Sequence, residues 1–347
     1  MQSKKETLAK QIVLDASRSG SLDFPMDAII NQARLRVVGT YSGADNKLVA
    51  EFPQNIFRLI DLKTSKGQHP YSLASVDMRI MNYLDKAGKV TMTAASGSFE
   101  ANFILDRGEL LSLLQNNLPP ATTINHPALP FGGLTLALTW AQDIDISTDG
   151  SCAITAATCT IVLEKTPITI AALQAIYGQG LERYQMPEVY VKGNAPLVTN
   201  TKPSEGIILD VGSLKKRTIC VTSDTSTVPV RSSAIVTELQ LHDGKSGDET
   251  TPIDRTFKDG QNEDAEEYNL STILAGVLSI DYPTEITNDP FGFPSWRLGD
   301  KDLAIWTQNA SNGNIRVIEE SRIVNIPAFE SNNILGVPQP KPQAKAA

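Results

Sequence analysis

The stretch HPALPFGGLTLALTWAQDIDISTDG, His126 to Gly150, decides how this chain is read. From Leu134 onward every second residue is apolar: Leu134, Leu136, Leu138 and Trp140 point one way, and Thr135, Ala137, Thr139 and Ala141 the other. A period of two predicts a strand, with one face in a core and a second face of small residues suited to close packing. The stretch then runs into Asp143, Asp145, Ser147 and Asp149 ahead of Gly150, which is the composition of a calcium loop. An EF-hand loop needs Gly at its sixth position for a sharp turn and Glu at its twelfth to close the coordination shell. Counted from Asp143, those positions hold Thr148 and Ile154. Ile144 and Ile146 continue the alternation, so the acids read as a strand end entering a turn at Asp149-Gly150, with a weak cation site at Asp143, Asp145 and Asp149 as the alternative.

Upstream, ARLRVVGTYSG (33–43), NIFRLIDLKTSKG (55–67) and DMRIMNYLDKAG (77–88) are short apolar segments bounded by turn residues, and each is read as a strand. Such segments at intervals of about 10 to 20 residues predict a β-sandwich or barrel. LDRGELLSLLQNN (105–117) has leucines at helical spacing and stops at Pro119 and Pro120, which predicts a helix between strands. CAITAATCTIVLEKTP (152–167) alternates with apolar or small residues on both faces, as a strand between covered surfaces would. Residues 168–190 carry Ile170, Leu173, Ile176 and Tyr177 on one helical face before Gly178, a helical connector. At the start of the chain, Leu8 and Ile12 lie four apart among Lys4, Lys5, Glu6 and Lys10, the spacing of a short amphipathic helix over 4–17.

The second half repeats the first. ELQLHDGKSG sets Leu239 and Leu241 against Ile60 and Leu62 of RLIDLKTSKG, and LAIWTQNASNGN (303–314) sets Trp306 near the place of Trp140. The matches come in the same order, which makes two similar β domains the best reading. TPIDRTFKDGQNEDAEEYN (251–269) is polar and acidic and reads as a solvated loop; STILAGVLSIDYP (271–283) fits a helix, a strand or both. GVPQPKPQAKAA (336–347) has no core-forming pattern.

Composition narrows the function. With 347 residues the chain is long enough for two cores, and 23 Gly with 20 Pro suit a fold rich in turns. A formal charge of −8, from 39 acids against 31 bases, argues against a surface built to wrap phosphate backbone. Cys152, Cys159 and Cys220 show no paired spacing and read as buried small apolar residues. The first 20 residues lack the uninterrupted apolar run of a secretory signal, which leads to the expectation of a soluble protein made in a cytoplasm. GKSG (244–247) lacks the upstream glycine of a phosphate loop, and its place after Leu239 to Leu241 predicts a hairpin turn. His69, His126 and His242 each stand beside a turn residue, without a nucleophile motif. A two-carboxylate glycosidase usually offers sugar rings aromatic platforms, and aromatics are only 6% of this chain.

Two similar antiparallel β domains, a helix within the first, a helical connector and an absence of catalytic motifs together resemble the double jelly-roll major capsid proteins of tailless icosahedral viruses, particularly membrane-containing bacteriophages. The resemblance covers residues 24–330 and rests on strand order and duplication. It implies a mainly β chain of two antiparallel eight-stranded jelly rolls in tandem, with short helices at the N-terminus, inside the first domain and at the connector. The expected units are a helical arm at 1–23, a first roll at 24–167, a connector at 168–205, a second roll at 206–330 and a tail at 331–347.

The implied function is structural, with no enzyme activity, cofactor or metal. Three chains would form a pseudo-hexagonal trimer that tiles a shell in the virion after synthesis in the host cytoplasm. The implied partners are neighbouring trimers, vertex (penton) and minor capsid proteins and an internal lipid membrane, with no sequence-specific nucleic acid. Lys4, Lys5 and Lys10 would then meet lipid phosphates while Leu8 and Ile12 touch the acyl boundary. The rival reading is a two-domain carbohydrate-binding or adhesion protein, which would call for a signal peptide and an exposed aromatic patch.

Overall fold

The computed structural model describes residues 4–25, 28–65, 67, 69–85, 91–106, 133–167, 188–208, 213–223, 230–243, 250–281, 293–294 and 303–321. Among these described residues nine strands lie in the first half: β1 (Lys4–Val13), β2 (Ser19–Asp23), β3 (Ala28–Ser42), β4 (Phe57–Thr64), β5 (Tyr71–Leu73), β6 (Met92–Ala95), β7 (Ser98–Asp106), β8 (Leu134–Trp140) and β9 (Ala153–Pro167). Nine follow in the second: β10 (Glu188–Leu197), β11 (Ser204–Ile208), β12 (Ser213–Ser223), β13 (Val236–Asp243), β14 (Thr250–Thr256), β15 (Val277–Asp281), β16 (Phe293–Pro294), β17 (Leu303–Asn309) and β18 (Gly313–Ser321). Among the described residues three α-helices accompany them: α1 (Ser75–Asp85), α2 (Asp143–Ile146) and α3 (Phe257–Glu267).

The two halves share one strand order. β6 and β16 are short additions at a sheet edge and beside β12. Without them, each half has eight described strands, of which the first, eighth, third and sixth form one sheet and the second, seventh, fourth and fifth the other. In the first half these sheets are β1-β9-β3-β7 and β2-β8-β4-β5; in the second they are β10-β18-β12-β15 and β11-β17-β13-β14. This is jelly-roll order, made twice. The sequence matches fall on equivalent strands, since β4 and β13 are both fourth and β8 and β17 both seventh.

Each roll is filled by the inward faces of its two sheets. β8 behaves as its alternation predicts: Leu134, Leu136, Leu138 and Trp140 are buried, and Trp140 packs on Phe57 with ring centroids 4.7 Å apart. Leu239, Leu241, Ile305 and Val317 do the same in the second roll. Full burial of such side chains is worth roughly 1.5–3 kcal/mol each. Burial also accounts for the cysteines, which are free, with the Cys159 and Cys220 thiols pushed up to about 12. β9 departs from expectation on its outward face, where Thr155 and Ala156 are exposed.

Several expected elements change type. The N-terminal helix is a strand: β1 pairs antiparallel with β9, and β2 pairs with β8, so the first roll begins at Lys4 and not at Phe24. Leu8 and Ile12 are four apart, a spacing that puts two residues on one side of a helix and also on one face of a strand. Residues 77–85, read as part of a strand, are in α1. Its Met78 and Met81 enter the first core while Ile80 and Leu84 pack on the second roll, so apolar residues on two sides hide the helical period. The acidic loop at 251–269 is largely β14 and α3, and α3 buries Phe257, Gly260, Gln261 and Asp264, a face that hydropathy does not mark. Val277–Asp281 resolves the ambiguous 271–283 segment as containing a strand.

The helix expected over 105–117 lies outside the described residues apart from Leu105 and Asp106, which end β7. The helical connector is outside them up to residue 187, and the GKSG turn and the tail at 331–347 are outside them entirely.

Candidate functional site

The two rolls meet along a continuous sheet. β5, the fifth strand of the first roll, pairs in parallel with β10, the first strand of the second, through Val189 with Tyr71 and Tyr190 with Ser72. A two-residue ladder is a slender joint, and side chains from the segment just beyond β5 reinforce it. Ser75, fully buried, accepts a hydrogen bond from the Phe57 N–H (2.9 Å), and its Oγ lies 2.6 Å from the Gln54 carbonyl, to which it donates. This fixes the start of α1 against β4. Two residues on, Asp77 is 1% exposed and accepts a 2.6 Å hydrogen bond from Arg316 of β18.

Further contacts cross the same junction. Arg231 donates from Nε and Nη2 to the two carboxylate oxygens of Glu51, at 2.9 and 3.2 Å, the bidentate geometry that planar guanidinium favours. Tyr83 at the far end of α1 donates to the Thr272 carbonyl at 2.7 Å. Between these polar ties Ile80 and Leu84 pack on Cys220 and Val277. A cavity of about 370 Å³ remains at the joint, lined by Asn55, Arg58, Asp77, Cys220, Arg231 and Arg316 among others.

The electrostatics of this cavity are those of a clamp. Burial pushes the Asp77 carboxyl up to about 6, opposed by the charge and hydrogen bond of Arg316. A raised acid in a cavity is a familiar mark of catalysis. Here the acid is bound to an arginine, and the nearby Cys220 thiol is held protonated by burial. The arrangement holds two domains in a fixed relation.

The acids of the 143–149 stretch are also tied down, each by its own base. Asp143 pairs with Arg18 at 2.8 Å, Asp145 with Arg58 at 2.5 Å and Asp149 with Lys47 at 2.8 Å. The strand predicted to run through Ile144 and Ile146 stops at Trp140, and residues 143–146 form the single turn α2, in which the Asp145 side chain accepts from the Gln142 N–H. Ile146 is buried and Ile144 is 69% exposed. The Lys47 and Ser151 hydrogen bonds hold the Asp149 carboxyl well below its ordinary range. Among the described residues no three potential metal donors converge.

Lys4, Lys5, Leu8, Lys10 and Ile12 all lie in β1, where Lys4 is opposite Lys165 and Lys5 opposite Glu164. Ile12 is 4% exposed in the first core, so it is turned away from any acyl boundary. His69 sits on Asp61 at 2.8 Å, His242 stacks on Trp306, and His126 is outside the described residues. The junction residues Glu51, Asp77, Arg231 and Arg316 were not singled out by the sequence. Asp77, a lone acid among the apolar residues of DMRIMNYL, is the one signal that points to a buried charge.

No protein-family model matches the chain, and no curated protein matches it. Solved structures do. The major capsid protein of Sulfolobus Turreted Icosahedral Virus superposes with a TM-score of 0.74 at 17% identity, over 96% of this chain and 99% of that one. The PBCV-1 protein VP54 gives 0.58 at 10% identity, over 92% and 93%. The major capsid protein P2 from bacteriophage PM2 gives 0.53 at 13% identity, over 92% and 96%. With the strand order made twice and joined at β5 and β10, these likenesses identify the fold as the double jelly roll of viral major capsid proteins.

Proposed function

We propose that this chain is the major capsid protein of an icosahedral virus, and that three copies form a capsomer of pseudo-hexagonal outline that tiles the shell. The observation that carries the proposal is the pair of rolls with one strand order, welded through a shared sheet. Two near-equivalent walls per chain give six per trimer, and a six-walled block packs into a hexagonal lattice. The clamp of Arg231 on Glu51 and Arg316 on Asp77 suits this role, because a tile must keep a fixed angle between its walls. The full-length likeness to major capsid proteins of three viruses supports it.

In this reading the chain is a virion component without enzymatic activity, made in the host cytoplasm, and its partners are neighbouring trimers and the vertex and minor proteins of the shell. The membrane contact expected of Lys4 to Ile12 is not part of the proposal, since its carrier was an amphipathic helix and the segment is a strand. Light scattering of the purified chain with negative-stain electron microscopy tests the reading. Trimers of six-lobed outline are expected; a monomer at all protein concentrations near neutral pH would refute it.

A further inference from the structure

The junction inside the chain also describes a junction between chains. In each roll the fifth strand lies at an edge of one sheet and the first strand at an edge of the other. Within the chain, the fifth strand of the first roll meets the first strand of the second. The two corresponding strands left over are β14, fifth in the second roll, and β1, first in the first roll. Among the described residues each ends its sheet with an edge unpaired. An open edge is a row of backbone donors and acceptors that a soluble protein normally covers.

Resting on the trimer reading above, we infer that β14 of one copy pairs in parallel with β1 of the next, repeating between chains the contact that β5 makes with β10 inside each. The equivalences specify a register. Leu62 and Asp61 oppose Tyr71 and Ser72 in the first roll, and Leu241 and Gln240 oppose Ile253 and Asp254 in the second, so Ile253 and Asp254 take the places of Tyr71 and Ser72. On the other side, the paired residues Val189 and Tyr190 lie just before a register shift in β10 between Val191 and Gly193. β1 has its own shift between Thr7 and Gln11, which places the matching contact in Lys4 to Thr7.

Charge favours the same pairing. β14 and α3, residues 250–267, carry six acids against two bases, whereas β1 carries three lysines against one glutamate. A basic edge facing an acidic one steers copies into head-to-tail register and disfavours two β14 edges or two β1 edges meeting. Such a contact is heterologous, and it closes into a ring when each step turns by an equal fraction of a revolution. Six rolls, hence three chains, close it if the interchain step equals the intrachain one.

Cysteine pairing tests the assignment. Asp254→Cys and Lys5→Cys are placed on one chain and treated with a short bis-maleimide, to which the buried Cys152, Cys159 and Cys220 are poorly accessible. The double variant should give covalent dimers and trimers on a denaturing gel, and each single variant alone should stay monomeric there. Carbodiimide treatment of the unaltered protein, read by mass spectrometry, should join a lysine among residues 4–10 to a carboxylate among residues 250–267. Trimers in light scattering without either cross-link would overturn this interface and leave the trimer standing. Cross-linking of a single variant to itself would overturn it as well, since that places the same strand of two copies side by side and not β14 beside β1. A monomer in light scattering would remove the trimer reading and this inference with it.

Discussion

α1 and α3 occupy the same place in the two rolls, between the fifth and sixth strands, and both are 11 residues long. Aligned from their first residues they share an anchor. The eighth residue of α1, Asn82, accepts from the Ile104 N–H of β7, and the eighth residue of α3, Asp264, accepts from the Ser279 N–H of β15. Their other faces differ. Asp77, Ile80, Tyr83 and Leu84 are buried against or beside the second roll, whereas the matching Asp259, Asn262 and Glu266 are exposed and Ala265 is half-buried. One scaffold position thus serves as a buried weld in the first roll and as an exposed, polar surface in the second. A contact that must form only after folding is expected to be the more polar of the two.

The seventh strands extend the contrast. Trp140 is fully buried on Phe57, while Trp306 is half-buried and stacked on His242 at 4.2 Å on the outward side of its sheet. Trp140→Ala should cost about 3–5 kcal/mol of stability, from lost transfer energy and an unfilled cavity. Trp306→Ala should cost about 1 kcal/mol, the scale of an aromatic contact. Denaturant titration of both variants checks this, and equal losses would remove the distinction between a core and a surface tryptophan.

At the weld, Arg316→Ala should cost roughly 2–3 kcal/mol near neutral pH, because the buried Asp77 loses its charged hydrogen-bond donor. The loss should shrink in acid, where a protonated Asp77 needs no cation. The sign follows from the raised value: burial lifts the carboxyl from 3.8 to about 6 in the fold, so the folded state holds the proton more tightly than the unfolded chain. This group's contribution to stability is complete below 3.8 and is lost as pH rises through about 6. Asp77→Asn should therefore flatten the stability profile between those values. A profile unchanged by that substitution would mean that another group controls it.

A smaller effect is expected at the other end of α1. Tyr83→Phe removes the 2.7 Å hydrogen bond to the Thr272 carbonyl and should cost about 1 kcal/mol. Ala265, at the matching position of α3, has no such group to lose, so Ala265→Ser should change the denaturation midpoint very little. A comparable loss at both positions would imply that α3 is already clamped within the single chain.

What was legible in the sequence followed periodicity. The alternation of Leu134 to Trp140 fixed which face of β8 is inside, and two short matches paired β4 with β13 and β8 with β17. α1 was not legible because two rolls cover it, so apolar residues stand at both helical and strand spacings. α3 was missed because its inward face, after Phe257, is glycine, amide and carboxyl, satisfied by bonds such as Gln261 to the Val277 carbonyl at 2.8 Å. The weld itself joins Asp77 to Arg316 across 239 positions, a pairing that no local pattern encodes.

The smallest effect is expected where the sequence first suggested chemistry. The link from the seventh to the eighth strand is residues 310–312 in the second roll and residues 141–152 in the first, and the longer one carries Asp143, Asp145 and Asp149. Calcium would have to draw carboxylates away from Arg18, Arg58 and Lys47 and bring together side chains that now point to three separate partners. Millimolar calcium should therefore leave the melting temperature unchanged, whereas Asp145→Asn should lower stability by at most about 1 kcal/mol, as for a surface ion pair. A calcium-dependent rise in melting temperature that Asp145→Asn abolishes would show the acids acting as ligands. Without it, the extra length of this link serves to staple its turn to the β1–β2 turn, to β4 and to the segment between β3 and β4 through ordinary ion pairs, a local addition that the second roll does without.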